Sequence, residues 1–130
     1  MCGRVIVDYD ENMDVASGTE LSAWMQQRPE GYEATWNLKP TQNLPIALTD
    51  HKTGERQLRY AYWSLVPIWS KELKTKFPTF NARSETVTEK ASFKNPVKGR
   101  RCVIPASGFY EWTGPKGKRT PHAIFGPAPV

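Results

Sequence analysis

The sequence predicts an α+β domain of mostly antiparallel strands with two short helices. Short segments rich in β-branched and aromatic residues are separated by clusters of glycine, proline, asparagine and aspartate, which is typical of antiparallel strands and turns. One segment combines a helix-capping sequence with apolar residues at helical spacing. The 130 residues are enough for one domain with a hydrophobic core.

The first thirty residues are predicted to form one strand and one helix. Residues 4–9 (RVIVDY) are rich in β-branched side chains, which favours a strand. Residues 17–20 (SGTE) have the form of a capping box, and the apolar side chains of residues 21–25 follow on one helical face. Pro29 ends this helix.

The middle of the chain is predicted to hold an irregular segment and a hairpin. Residues 36–41 are expected to be irregular because Pro40 cannot continue a regular helix. Residues 45–49 and 57–65 are predicted strands, joined by a turn through Gly54.

The second half of the chain predicts one helix and three strands. Residues 84–93 are a helix candidate, and residues 101–105 and 109–112 are predicted strands. A turn over residues 113–118 (TGPKGK) leads into a return strand at residues 122–125.

Charge is distributed unevenly along the chain, with a formal total of +5. Residues 1–35 carry a net −5, whereas residues 90–119 contain eight basic side chains and only one acid, Glu111. A one-sided basic surface suits a polyanion such as nucleic acid, and a merely solvated basic surface is the alternative.

Other features narrow the class of protein. No apolar run is long enough for a membrane span, and the N-terminus lacks a signal-peptide pattern, so a cytoplasmic, nucleoid-associated location is expected. Two cysteines and two histidines at these spacings indicate neither a disulfide framework nor a metal site. We therefore expect no metal, no cofactor and no membrane partner.

Cys2 is the most informative residue for chemistry. Removal of Met1 would leave an N-terminal cysteine, whose α-amine is less basic than a lysine side chain and stands beside a thiol. Such a pair can trap an aldehyde, first as a Schiff base and then as a five-membered thiazolidine ring. The alternative is a small residue before a strand.

Three further residues could carry function or could be structural. Cys102, in an apolar segment, is expected to be part of the core. Glu111 lies between aromatic residues and could be a general acid or base, or an outward-facing residue paired with a lysine. Arg83, in the sequence NARSE, could bind phosphate or could belong to a loop before a helix.

Several tryptophans alternate with basic residues, a pattern that single-stranded DNA-binding proteins use for base stacking and backbone contacts. The alternative places the tryptophans in the core, as is expected for at least two of the five. Trp69, beside a lysine-rich loop, is the best candidate for exposure.

Taken together, five segments resemble the SOS-response-associated peptidase (SRAP) family. They occur in the family's order: MCGR at residues 1–4, WN with PT at 36–41, WSLVPIW at 63–69, NARSET at 81–86 and RCVIPASGFYEW at 101–112. The resemblance implies a strongly curved, partly barrel-like sheet flanked by short helices. It also implies a function in the DNA-damage (SOS) response, namely the capture of abasic sites in single-stranded DNA through a thiazolidine crosslink. A cysteine-dependent autopeptidase activity is implied as well.

The resemblance assigns roles to seven residues. Cys2 matches the nucleophile, Asn81 the residue near the captured sugar, and Glu111 the residue that assists proton transfer. DNA contacts are assigned to Arg4, Pro40, Trp69 and Arg83.

The sequence departs from the family pattern after the GFYEW segment. Family members continue with further strands and a histidine that completes the active site, and His122 lies in a different context. We therefore expect residues 1–130 to be a single SRAP domain without the family's C-terminal segment. The alternative functions are a non-catalytic single-stranded DNA-binding module and a thiol autopeptidase.

Overall fold

The computed structural model describes residues 3–8 and 30–126. This part of the chain contains six strands, a three-residue 3₁₀ helix (Ser84–Thr86) and one turn of α-helix, α1 (Pro96–Gly99). The strands are β1 (Val5–Val7), β2 (Thr35–Leu38), β3 (Asn43–Thr49), β4 (Arg56–Tyr62), β5 (Gly108–Thr113) and β6 (Thr120–Phe125).

All strand pairs are antiparallel, as predicted. A four-stranded sheet has the order β2-β1-β5-β6, and β3 and β4 form a separate two-stranded hairpin. The predicted strands of the hairpin and of the β5–β6 pair are confirmed, with ends that differ by one to three residues.

The sheet and the hairpin enclose the core between them. Val5, Val7 and Leu38 from the sheet pack against Leu44 and Ile46 of β3, and all five are at least nine-tenths buried. Because the register places Val5 opposite both Leu38 and Phe109, these residues share one side of the sheet. We call this side the core face.

Ile6 points to the opposite side of the sheet, which we call the Ile6 face, because side chains alternate along a strand. Ile6 is completely buried but is not part of the core cluster. The same alternation places Tyr110 and Trp112 of β5 on the Ile6 face and Glu111 on the core face.

The prediction of a partly barrel-like sheet is wrong for the described part of the chain. Its edge strands, β2 and β6, do not pair with one another. The hairpin pairs internally along all seven residues of β3 and packs on the sheet instead of extending it. The result is two stacked layers.

Two predictions of local structure in the strands are also wrong. Residues 36–41 are not irregular throughout, because Thr35–Leu38 pairs with β1 and only the following residues form a turn. Residues 101–105 do not form a strand. They make one isolated bridge, in which the backbones of Val103 and Ala47 exchange hydrogen bonds of 2.8 Å.

The helix predicted over residues 84–93 is reduced to the 3₁₀ helix and a series of turns. Its backbone hydrogen bonds mix two spacings: the Glu89 N–H donates to the third preceding carbonyl, and the Lys90 N–H donates to the fourth. The β-branched residues 86–88 disfavour a continuous helix at this point. The helix predicted after residue 17 lies outside the described residues. No helix in the described ranges has the length and apolar character needed to cross a membrane.

Pro121 occupies a position in β6 that a proline tolerates. The Tyr110 N–H donates to the Arg4 carbonyl of β1 at 3.0 Å, so the backbone of Glu111 faces β6. His122, the register partner of Glu111, therefore has its backbone N–H and C=O directed toward β5. The backbone nitrogen of Pro121 therefore faces away from β5, where its missing N–H breaks no ladder bond.

Cys102 is exposed, so the prediction of a core cysteine is wrong. The segment around it forms an isolated backbone bridge with β3 at Val103, and Val103 and Ile104 are themselves exposed. Neighbouring atoms still raise the pKa of the Cys102 thiol above its usual value by partial desolvation.

Replacing Gly108 by alanine is expected to destabilise the β5–β6 pair. A Cβ at this position would lie 2.8 Å from the Ile124 carbonyl oxygen and 3.0 Å from the Phe125 ring. Because the first of these is backbone, the strands would have to separate, and we expect a loss of about 1–3 kcal/mol in unfolding free energy. Chemical denaturation of Gly108→Ala checks this. Gly99→Ala, with no atom within 4 Å of the new Cβ, is the matched control and should unfold like the parent.

Cys102 is expected to react slowly with iodoacetamide at pH 8 in spite of its exposure. The thiolate is the reactive form, and a raised pKa lowers its fraction at that pH. The rate should approach that of a free cysteine peptide as the pH rises above the Cys102 pKa. Peptide mapping of the alkylated protein measures this rate, and labelling at the free-peptide rate at pH 8 would contradict the expectation.

Candidate functional site

The candidate site lies at the end of the sheet where β1 begins. Arg4 immediately precedes β1, and its carbonyl accepts the 3.0 Å hydrogen bond from Tyr110. Glu111 is the next residue of β5, and Pro40 lies two residues beyond Leu38, the register partner of Val5. The pairing of β1 with both neighbours therefore brings Arg4, Glu111 and Pro40 to one end of the sheet.

Cys2 lies outside the described residues. Its sequence position is two residues before Arg4.

Arg4 is half-buried, and its side chain has two identified partners. The Nη1 donates a hydrogen bond of 2.5 Å to Oδ1 of Asn37, and the guanidinium carbon lies 5.9 Å from the centre of the Trp112 ring. Trp112 in turn lies 6.3 Å from the Tyr110 ring. A cation held against an aromatic face beside an amide can receive a phosphate or a sugar oxygen.

Glu111 of β5 is half-buried on the core face, and its register partner is His122 of the neighbouring strand β6. The exposed His122 ring places its Nε2 2.8 Å from Oγ1 of Thr113. The structure thus brings a carboxyl group and an imidazole to neighbouring positions, although the sequence context of His122 gave no reason to include it.

Pro40 begins a tight turn with an unusual backbone. Thr41, the next residue, has a φ of 73°, a left-handed conformation that is rare for a β-branched residue. The Thr41 N–H donates to the Trp63 carbonyl at 3.0 Å, and the Gln42 carbonyl accepts from the Trp63 N–H at 2.9 Å. Such local strain persists only where surrounding contacts enforce it, and it clusters at functional sites.

Asn81 is tied to the same region through Trp63. The indole Nε1 of Trp63 donates to the carbonyl of Phe80 at 3.4 Å, and Asn81 is the next residue. The Leu65 N–H also donates to the carbonyl of Thr79, whose side chain is buried. Trp63 packs against the core cluster, so this one residue links the Pro40 turn through its backbone, and the core and the segment that carries Asn81 through its side chain.

Trp69 and Arg83 lie in exposed segments. Trp69 is 62% exposed, which confirms the prediction that it is exposed. Other apolar side chains of the same segment are at least as exposed: Ile68, Leu73 and Phe77. Arg83 is exposed at the start of the 3₁₀ helix. None of the described tryptophans is fully buried, although Trp63 and Trp112 are partly covered.

The basic side chains of the second half of the chain lie at the surface. All eight basic residues between positions 90 and 119 are exposed. Within the described ranges, histidine, cysteine and acidic side chains do not gather in groups of three that could hold a metal ion.

Sequence reasoning missed Asn37 and His122 as neighbours of the predicted residues. Both contacts are made across strand pairs, between residues distant in sequence, and no local pattern reveals them. The Trp-Asn pair at 36–37 was noted as part of a family segment, which is the only signal the sequence offered.

Comparison with known proteins gives the affiliation of the chain. Abasic site processing protein YoqW of Bacillus subtilis (strain 168) is 36% identical over 113 residues, covering 86% of this chain and 48% of that protein. Abasic site processing protein HMCES of Mus musculus is 40% identical over 147 residues, covering 98% and 41%. This chain therefore spans about half the length of such relatives or slightly less.

A solved structure supports the fold. A crystal structure of a Bordetella bronchiseptica protein matches with a TM-score of 0.67 and 23% identity, covering 94% of this chain and 56% of that one. The family model described as SOS response associated peptidase (SRAP) matches residues 1–127. This match confirms the resemblance identified from the sequence segments, and the chain belongs to the SRAP family.

Proposed function

We propose that this protein processes abasic sites in single-stranded DNA by forming a covalent thiazolidine crosslink through Cys2. The observation that carries the proposal is the combination of Cys2 with relatives named abasic site processing proteins. The arrangement of Arg4, Pro40 and Glu111 at the end of the sheet where β1 begins supports it, because Cys2 precedes Arg4 by two residues in the sequence.

The chemistry needs the α-amine of Cys2, so Met1 must first be removed, and a cysteine-dependent autopeptidase step would accomplish this within the same site. The freed amine adds to the open-chain sugar aldehyde to give a carbinolamine. Loss of water then gives an iminium ion, whose nitrogen keeps its proton. The thiol gives up its proton to a base, the sulfur adds to the iminium carbon, and the thiazolidine ring closes with a neutral N–H.

Glu111 is the proposed general acid and base. A carboxylic acid can donate the proton that lets the carbinolamine hydroxyl leave as water, and the resulting carboxylate can accept the thiol proton during ring closure. Asn81 is proposed to hold the sugar by hydrogen bonds from its amide. Its backbone position is set by the Trp63–Phe80 hydrogen bond.

DNA binding is assigned to Arg4, Pro40, Trp69 and Arg83. The exposed Trp69 offers a face for base stacking, and the two arginines offer charge-assisted hydrogen bonds to phosphate. We propose that the function belongs to the DNA-damage (SOS) response in the cytoplasm, on DNA of the nucleoid, and that residues 1–130 form one SRAP domain.

A non-catalytic single-stranded DNA-binding module is the second candidate. It is favoured by the exposed basic side chains between positions 90 and 119 and by the exposed Trp69, since backbone charge and base stacking suffice for reversible binding of a single strand. In that case binding would be reversible and strongly weakened by salt, and no covalent product would form.

Cys2→Ser is expected to abolish crosslinking to a single-stranded oligonucleotide with one abasic site, because a hydroxyl forms no comparably stable ring. Intact-protein mass spectrometry before and after incubation measures both the removal of Met1 and the covalent adduct. The matched control is Cys102→Ser, which should crosslink like the parent. An undiminished adduct with Cys2→Ser would overturn the proposal.

Glu111→Gln is expected to slow crosslinking by about 100-fold, since glutamine keeps the shape but cannot transfer a proton. Single-turnover rates at saturating oligonucleotide give this value. Noncovalent affinity for an intact oligonucleotide and the melting temperature should stay unchanged. Glu89→Gln, at an exposed position remote from β5 in sequence, is the control. A parent-like rate for Glu111→Gln would exclude the proposed proton transfer.

A further inference from the structure

β2 contains a β-bulge opposite the centre of β1. Val5 pairs with Leu38, and Val7 pairs with Thr35. Two residues of β2, Trp36 and Asn37, therefore oppose the single residue Ile6. Because a bulge changes the direction of the side chains it carries, both of these residues can serve the Ile6 face.

The contacts of the bulge residues confirm this direction. Asn37 accepts the hydrogen bond from Arg4, which shares the Ile6 face. The Trp36 ring lies 6.1 Å from the Phe125 ring in an edge-to-face arrangement. Phe125 in turn covers Gly108, the register partner of Ile6.

Four hydrogen bonds fix the bulge in place. Within the bulge, the backbone N–H of Asn37 donates to Oγ1 of Thr35 at 3.3 Å. The Trp36 indole N–H donates to Oδ2 of Asp8 at 2.7 Å. Asp8 is bound by Ser107, whose hydroxyl accepts from the Asp8 N–H at 3.0 Å and donates to the Asp8 carbonyl at 2.5 Å.

The position of Arg4 depends on this arrangement. Asn37 binds one end of the guanidinium, and the guanidinium carbon lies over the Trp112 ring at 5.9 Å from its centre. A long, flexible side chain loses conformational freedom when it is fixed, so an arginine that is fixed before a ligand arrives binds that ligand more tightly. Asn37 is also neutral, so it orients Arg4 without cancelling the positive charge.

We propose that Asn37 is a positioning residue, which holds the Arg4 guanidinium ready for a phosphate of the bound DNA strand. The proposal rests on the proposed function, in which Arg4 contacts DNA. A carboxylate in place of Asn37 would orient the guanidinium equally well but would weaken its attraction for a phosphate.

A double-mutant cycle in the full chain tests the proposal without any covalent step. Affinity for an intact single-stranded oligonucleotide is measured by fluorescence anisotropy in a Cys2→Ser background, with Asn37→Ala, Arg4→Ala and the pair. Asn37→Ala should weaken binding about fivefold when Arg4 is present and less than twofold when Arg4 is alanine. Asn43→Ala, an exposed strand asparagine in β3, is the matched control and should have no effect.

Salt dependence separates positioning from charge. Asn37→Ala keeps the Arg4 charge, so the slope of log affinity against log salt should stay the same, whereas Asn37→Asp should lower its magnitude by about one. Asn37 is exposed on an edge strand, and melting curves confirm that each variant folds. If Asn37→Ala fails to fold, the slope of Asn37→Asp decides.

Two results would overturn the positioning role. One is equal weakening by Asn37→Ala with and without Arg4, which would indicate a structural role or a direct contact. The other is no weakening at all, or no measurable binding of the oligonucleotide. The binding assay uses an oligonucleotide without an abasic site, so it is independent of crosslinking. If Asn37 and Arg4 show no coupling in binding but the parent protein crosslinks to an abasic oligonucleotide, only this inference is refuted. If the two residues are coupled but the parent protein does not crosslink, only the thiazolidine proposal is refuted.

Discussion

The pairing of β1 with two neighbours is the interaction on which the rest of the structure depends. This strand has only three residues, yet all of them are at least nine-tenths buried and contribute to both sides of the sheet. Val5 and Val7 face the hairpin, and Ile6 faces the opposite side. The site residues come from the start of β1, from the turn that follows β2, and from β5. Loss of the β1–β2 or the β1–β5 pairing would therefore separate them even though none of these residues had been replaced.

A second link is made by Trp63. Its backbone holds the strained Thr41 turn, its indole supports the segment before Asn81, and its ring covers the core. The left-handed Thr41 conformation costs on the order of 1–3 kcal/mol. The two backbone hydrogen bonds that Trp63 makes with the turn, one from the Thr41 N–H and one to the Gln42 carbonyl, offset part of that cost. Stability of the core and geometry of the site are therefore coupled at this residue.

Sequence reasoning predicted the antiparallel architecture and most strands, because alternation and turn residues are local properties of the chain. It failed where long-range contacts decide. Residues 35–38 form a strand only because β1 offers a partner, and the segment around Val103 meets the edge of β3 opposite β4 in a single bridge. Cys102 was assigned to the core from the apolar character of its neighbours, which does not reveal what covers them.

The candidate site shows the same division. Family segments identified Arg4, Asn81 and Glu111, and the fold brings Arg4 and Glu111 to adjacent positions of paired strands. The contact between Arg4 and Asn37 joins residues 33 positions apart and depends on a bulge of one residue. No periodicity encodes such a bulge, so its consequence for Arg4 becomes visible only in three dimensions.

Pro121 gives β6 a directional edge. A strand added alongside β6 finds no donor at Pro121, although Ala123 and Phe125 present their N–H groups outward. Backbone pairing therefore gains fewer hydrogen bonds at Pro121 than toward the Phe125 end, which lies away from the Thr113–His122 contact. A segment that widens this sheet, from the same chain or another, pairs most favourably when it is shifted toward Phe125, and this leaves the part of β6 nearest Glu111 and Trp112 more accessible to a ligand.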